Sequence, residues 1–400
     1  MGVLAMKSIS KVASGIAPSA TLAISALAKE MKAQGIDVIG FGAGEPDFPT
    51  PDNIKAAAIK AINDDMSHYT PSGGILPLRQ AICGYLDRTF GLRYDPSQIV
   101  VSSGAKHILY IVLQTLLNPG DEVILPAPYW VTYAEIIRMA GGVPVIINTT
   151  EENRFKMSAD ELRAACTDKT KCVIMTNPSN PTGMLYSPDE VKALSAVISE
   201  KDLYIVDDEI YAYLTYSGEF MSFAAVSEDM KERTIVVNGV SKTYAMTGWR
   251  IGFAACNSQI AKAMSNFLSH STGNASNIAQ YASVEAYNGS QETAKLMREE
   301  FIKRRRYFVD RVNAMELVSC TEPDGAFYIF MNIKKVIGKT ICGDYIGSSD
   351  DFCKSLLKNG LVATVPGSAF GCDGYVRWSY ATSMENIKNG LDRLEKFLNS

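Results

Sequence analysis

Thr234-Ile235-Val236-Val237-Asn238-Gly239 is a β-branched apolar run closed by a turn dipeptide, and Ile251-Gly252-Phe253-Ala254-Ala255 is a second apolar run shortly after it. Between them, Val240-Ser241-Lys242-Thr243-Tyr244-Ala245-Met246-Thr247-Gly248-Trp249-Arg250 sets one lysine and one arginine across a glycine-containing connection. The reading places Lys242 on a loop between two strands. A lysine amine forms a Schiff base with an aldehyde only in its neutral form, so a site using it must lower its pKa by desolvation or by a neighbouring cation. Arg250 can be that cation, and its planar fork suits a phosphate. A single lysine is ordinarily a solvated surface charge, and spacing alone does not overturn that reading.

Outward from this stretch, apolar runs alternate with helical patterns over residues 50–285, which predicts a parallel sheet covered by helices. The expected strands are 99–102, 122–125, 143–147, 172–176, 203–206, 235–237 and 251–255, with helices over 106–117 and 188–200 among the connections. Beyond residue 290 the pattern changes to a long charged helix over 291–314, strands at 316–319 and 327–332, and helices over 350–358 and 385–398. This predicts an α/β chain with a second, smaller α+β lobe. A length of 400 residues exceeds a usual single core and fits such a division.

Composition narrows the partners. A net charge of −4 argues against a nucleic-acid binder, and no run of apolar residues is long enough to span a membrane. A cytoplasmic protein acting on small molecules is expected. The 8 cysteines contain no Cys-x-x-Cys pair and read as reduced thiols. The 3 histidines, His68, His107 and His270, show no metal-ligand spacing, so no metal site is expected.

In a sheet of this kind ligands bind outside the carboxyl ends of the strands. There, Asp207-Asp208-Glu209-Ile210-Tyr211 closes one strand with three acids. A carboxylate so placed either holds a heterocyclic nitrogen protonated or caps the following segment. Strand alternation turns Asp207 and Glu209 away from Asp208, and neither receives a role. Ser102-Ser103-Gly104-Ala105-Lys106 joins a strand to a helix start, where free N–H groups bind phosphate, with Lys106 contributing its backbone. Asn177-Pro178-Ser179-Asn180-Pro181-Thr182-Gly183 has turn chemistry. Trp130, taken alone, reads as a buried structural indole. Arg377 lies in the alternating run Tyr375-Val376-Arg377-Trp378-Ser379, where a buried arginine needs a partner anion. Gly42-Ala43-Gly44-Glu45-Pro46 lacks the third glycine of a dinucleotide-binding fingerprint.

Ser241-Lys242 followed by Met246-Thr247-Gly248-Trp249-Arg250 and Gly252 resembles the cofactor-attachment motif of the class I, fold type I aminotransferases, which use pyridoxal 5′-phosphate (PLP). The similarity runs from Pro18-Ser19-Ala20-Thr21 to Val376–Ser383, and the bacterial and archaeal aspartate aminotransferase branch resembles it most. The resemblance implies a large PLP-binding domain over 49–289 with a mostly parallel seven-stranded sheet, a small domain made of 15–48 and 290–400, and an N-terminal arm over 1–14. It implies that Lys242 is the cofactor anchor and the acid/base, that Asp208 faces the pyridine nitrogen, and that Tyr211 and Asn180 bond the phenolic oxygen. Gly104, Ala105, Lys106 and Arg250 would hold the phosphate, and Trp130 would stack on the ring. Gly44, Trp130, Asn180 and Arg377 would bind substrate. Tyr69 would reach the neighbouring subunit's cofactor, which implies a homodimer. The implied reaction is transamination between an amino acid and a 2-oxo acid, with aspartate and 2-oxoglutarate as the expected pair and Ser19 and Thr21 near the distal carboxylate. Alanine, aromatic amino acids or prephenate as substrates, a PLP-dependent lyase or synthase, and a non-catalytic ligand sensor are the alternatives.

Overall fold

The computed structural model describes residues 7–400, so the first six residues of the expected arm lie outside the described residues. A seven-stranded sheet runs in the order Ile99–Ser102, Gly252–Ala255, Thr234–Gly239, Tyr204–Asp208, Thr170–Thr176, Glu122–Ala127 and Val143–Asn148. Gly252–Ala255 is antiparallel to both of its neighbours and the remaining pairs are parallel. The central strands are covered on both faces, which is why they read as unbroken apolar runs rather than alternating ones. Helices such as Pro188–Glu200 start where the sequence supplies a cap: Ser187 and Glu190 form a reciprocal capping box there.

The rest of the chain builds a separate layer. Val365–Pro366, Tyr375–Ser379 and Tyr328–Asn332 form an antiparallel sheet, and Ile39–Gly40 pairs in parallel with Val362–Ala363, so residues from both ends of the chain meet. Trp378 packs against Phe41 and Phe308 at ring distances of 4.9 and 5.7 Å. The Phe41 ring lies so close to Gly390 that a Cβ there would sit 2.3 Å from it. The segment entering Gly42–Gly44 is thereby fixed to the sheet that carries Arg377.

Two local expectations are corrected. Residues 316–319 form no strand; only Ser319 bridges to Asn332, at the free edge of Tyr328–Asn332. Lys242 is not on a loop but in a single helical turn, Val240–Thr243, between the two antiparallel strands.

Where the returning strand passes the helix Ala105–Leu116, a Cβ on Gly252 would lie 2.2 Å from the Ala105 backbone nitrogen. A rigid backbone atom cannot yield as a side chain can. Gly252→Ala is therefore expected to destabilise the fold by about 1–3 kcal/mol in urea denaturation. Gly248→Ala, with nothing within 4 Å of the added carbon, serves as the near-neutral control.

Candidate active site

Thr176, Asp208 and Gly239 end neighbouring parallel strands at one edge of the large sheet, and Ser102, whose strand runs in the same direction beyond Gly252–Ala255, ends there too. Because Gly252–Ala255 returns antiparallel to Thr234–Gly239, the connection between them starts and finishes at that same edge. This brings Lys242 and Arg250 together. A cavity of about 300 Å³ lies there, lined by Gly44, Ala105, Lys106, Trp130, Asn180, Asp208, Tyr211, Lys242, Arg250 and Arg377 among others. Gly104 stands behind this wall: a Cβ on it would fall 2.4 Å from the Arg250 guanidinium, and its φ of +91° favours glycine. Tyr69 is elsewhere, on the surface and 98% exposed.

Lys242 Nζ donates to the Gly44 carbonyl at 2.5 Å. Desolvation pulls its pKa down to about 8; Arg250 and Arg377 pull the same way, against Glu45 and Asp208. A fraction of the amine is thus neutral near physiological pH. Asp208 is buried, and burial pushes its carboxyl up to about 6, opposed by hydrogen bonds from Tyr133 and the Ile210 N–H and by the Lys242 charge. The Tyr133 hydroxyl donates to Asp208 Oδ2 at 2.7 Å, and Thr176 Oγ1 lies 2.6 Å from the same hydroxyl. With its one proton on Asp208, Tyr133 accepts from Thr176.

Arg377 is 2% exposed and meets no carboxylate among the described residues. Its Nη1 donates to Asn180 Oδ1 at 3.0 Å and its Nη2 to the Gly42 carbonyl at 2.8 Å, while Nε has no partner. The guanidinium carbon lies 4.6 Å from the Tyr328 ring centre and 5.0 Å from that of Phe370. Tyr328 in turn bonds Tyr211, hydroxyl to hydroxyl, at 2.7 Å. A buried cation so held, by neutral acceptors and aromatic faces, retains attraction for an incoming anion.

The residues singled out in the sequence therefore converge on this cavity or its wall, apart from Tyr69 and Ser19. Ser19 lies outside this cavity and lines the adjoining one, although its hydroxyl is 3.0 Å from that of Thr21, which lines the first. The Lys106 ammonium sits 4.7 Å over the Trp130 ring at the cavity wall. Tyr133, Thr176 and Tyr328 escaped the sequence reading. Tyr133 follows Trp130 at helical spacing, which is the one local signal it carries; Tyr328 carries none, because its place depends on the second sheet.

Over residues 36–394 the sequence matches the family described as aminotransferase class I and II. The aspartate aminotransferase of Bacillus sp. (strain YM-2) is 48% identical over 96% of this chain and 97% of its own length. A probable aspartate/prephenate aminotransferase of Rhizobium leguminosarum is 46% identical over 96% of this chain and 97% of its own. The solved structure of Thermus thermophilus aspartate aminotransferase with maleate superposes with a TM-score of 0.93 at 38% identity, covering 98% of this chain and 100% of that one. The chain belongs to the class I and II aminotransferases, and its fold is that of the aspartate aminotransferases.

Removing the Tyr133 hydroxyl takes away a bond that favours ionised Asp208. Tyr133→Phe is expected to raise the Asp208 pKa above its present value of about 6, so that less of it is ionised at pH 7. The acid limb of the kcat/KM profile then moves to higher pH. An unmoved limb would show that Tyr133 does not tune this group.

Proposed function

We propose that the chain is a PLP-dependent aspartate aminotransferase, converting L-aspartate and 2-oxoglutarate to oxaloacetate and L-glutamate. The observation that carries the reading is the convergence on one cavity of a lysine with a depressed pKa and a buried arginine that lacks a carboxylate. The donor set fits PLP. Arg250 lies against Gly104 at a helix start, where amides without intrahelical acceptors suit a phosphate. Asp208 supplies a buried carboxylate for a protonated pyridine nitrogen, and Lys242 an amine for the aldehyde.

Bound PLP supplies an electron sink conjugated to the substrate α-carbon. In this reading Lys242 anchors the aldehyde and, once released, carries the α-proton as general base and acid. Arg377 and Asn180, with the Gly44 backbone, orient the α-carboxylate. Tyr211 and Asn180 would bond the cofactor's phenolic oxygen, Trp130 would stack on its ring, and Gly104, Ala105, Lys106 and Arg250 would hold its phosphate. A four-carbon dicarboxylate is favoured by the cationic Lys106 and the hydroxyl of Thr21, which both line the cavity, and by the names of the relatives. Prephenate as an additional partner is the second reading, supported by the Rhizobium leguminosarum relative.

The contact between Ile39–Gly40 and Val362–Ala363 supports assigning 15–48 and 290–400 to a small domain, 49–289 to a large one and 1–14 to an arm. The exposure of Tyr69 suits a residue that reaches a second copy, and we place the enzyme as a cytoplasmic homodimer. Among the described residues no helix is long and apolar enough to cross a membrane.

Incubation with 2-oxoglutarate and single amino acids is expected to yield glutamate fastest with aspartate; equal rates with alanine or phenylalanine would remove the aspartate assignment. Prephenate, tested as acceptor, decides the second reading. Lys242→Ala is expected to lose the visible absorbance of covalently held cofactor together with nearly all turnover, and a fully active variant would overturn the mechanism. For Arg377→Lys, loss of the planar fork is expected to lower kcat/KM by ~100-fold, read in steady-state kinetics with both substrates.

A further inference from the structure

Pro323–Ala326 joins the parts of the molecule that carry Asn180, Tyr211 and Tyr328, yet none of its residues lines the cavity. The Asp324 and Gly325 N–H groups both donate to the Gly183 carbonyl at 2.9 Å, at the end of the loop bearing Asn180. The Asp324 carbonyl accepts from the N–H groups of Tyr216 and Ser217 at 2.7 and 3.2 Å, on the segment that follows Tyr211. Its carboxylate accepts from the Leu185 N–H at 3.1 Å, from Ser217 Oγ at 3.1 Å and from Arg154 Nη2 at 2.8 Å. One side chain and its own backbone thus tie two loops together.

The joint has no slack. A Cβ on Gly183, whose φ is +71°, would lie 2.5 Å from Pro323 Cβ; one on Gly325 would lie 2.5 Å from Pro178 Cγ and 2.8 Å from the Leu214 carbonyl oxygen. Strand Tyr328–Asn332 begins just past Ala326, and its first residue bonds Tyr211 and underlies the Arg377 guanidinium. The turn that presents Arg154 grips the same sheet, for Phe155 meets Phe330 edge-on at 5.4 Å and Phe330 is the register partner of Arg377. Arg154, Phe155 and Ala326 all hold left-handed backbone, with φ of +54°, +54° and +57°. Residues with a Cβ avoid that region unless their surroundings over-determine it, and such strain gathers at functional sites.

The Arg154 side chain is 41% exposed, and an ion pair that open contributes little to stability. What its geometry supplies is position. We propose that Asp324 is a positioning residue for the transamination: held by Arg154, it fixes the segments bearing Asn180 and Tyr211 relative to the sheet bearing Tyr328 and Arg377. The inference rests on the reading that these four groups meet PLP and the substrate α-carboxylate.

The test uses the holoenzyme, with two readouts other than turnover: the pH midpoint of the bound cofactor's absorbance, which senses Tyr211 and Asn180, and the Kd of succinate, an unreactive dicarboxylate that senses Arg377. Displacements well under 1 Å are costly at such sites, so Asp324→Ala is expected to weaken succinate about tenfold and to move the absorbance midpoint by about one pH unit. Arg154→Ala should give a smaller change in the same direction, and Arg154→Lys should restore most of it. Asp324→Asn, which keeps an acceptor for the Leu185 N–H but loses the ionic partner, decides the matter if Asp324→Ala does not fold. A lowered melting temperature with both readouts at wild-type values would mean that Asp324 serves the fold alone, and would overturn the inference. Absence of a cofactor absorbance band in the wild type would overturn the functional reading instead, so the two failures are separable.

Discussion

Of the cations lining this cavity, Lys242 and Arg377 have no carboxylate in ion-pair contact among the described residues, and the segment Gly42–Gly44 holds both. The Gly42 carbonyl accepts from Arg377 and the Gly44 carbonyl from Lys242. Removing charge from water is costly unless hydrogen bonds replace the lost hydration, so these carbonyls must be held firmly. They are: the Phe41 N–H donates to Ala363, the Phe41 carbonyl accepts from Ser379, and the Phe41 ring is locked between Trp378 and Gly390. A residue with a side chain at position 44 would press on the Tyr328 hydroxyl, since a Cβ there would lie 2.8 Å from it. Small residues here are a condition for bringing a backbone this close to two buried charges.

The large sheet meets the other half of the requirement. Parallel strands deliver Ser102, Thr176, Asp208 and Gly239 to one edge, and the single antiparallel strand folds Lys242 and Arg250 back onto it. Arg377 arrives from a different sheet with its own core. Lys242 is chemically poised because nearby groups oppose one another: burial and two arginines favour the amine, two carboxylates favour the ammonium, and the balance settles near neutrality.

Much of this was legible in the sequence wherever chemistry and local structure coincide. Asp208, Asn180 and the Gly104 turn each terminate an apolar run, so a strand end and a functional group were read together. Most of the seven strands are legible because buried strands are continuous apolar runs; Val143–Asn148, partly exposed at the sheet's edge, is apolar nonetheless. Short elements are not legible in this way: the turn Val240–Thr243 has too few residues to display a helical period, and Glu316-Leu317-Val318-Ser319 reads as a strand although only Ser319 finds a partner. Tyr133 and Tyr328 were missed for another reason. Their hydroxyls matter through Asp208 and Tyr211, contacts made across the fold, and no spacing along the chain encodes such a meeting. The neutral surroundings of Arg377 were likewise invisible, because the sequence shows that a buried arginine needs compensation without showing that carbonyls and aromatic faces provide it.

Thr21 lies on the helix Ala20–Ala33, far along the chain from Lys242 and Asp208, yet all three border one volume. On the proposed function, Thr21 belongs to the wall facing a substrate's side chain while Lys242 and Asp208 act at its α-carbon, so the two parts are written in separate stretches of the gene. Substitutions in the early helix can change which amino acids are accepted while the strand-end apparatus stays intact. A lineage carrying this scaffold can drift in diet without relearning its chemistry.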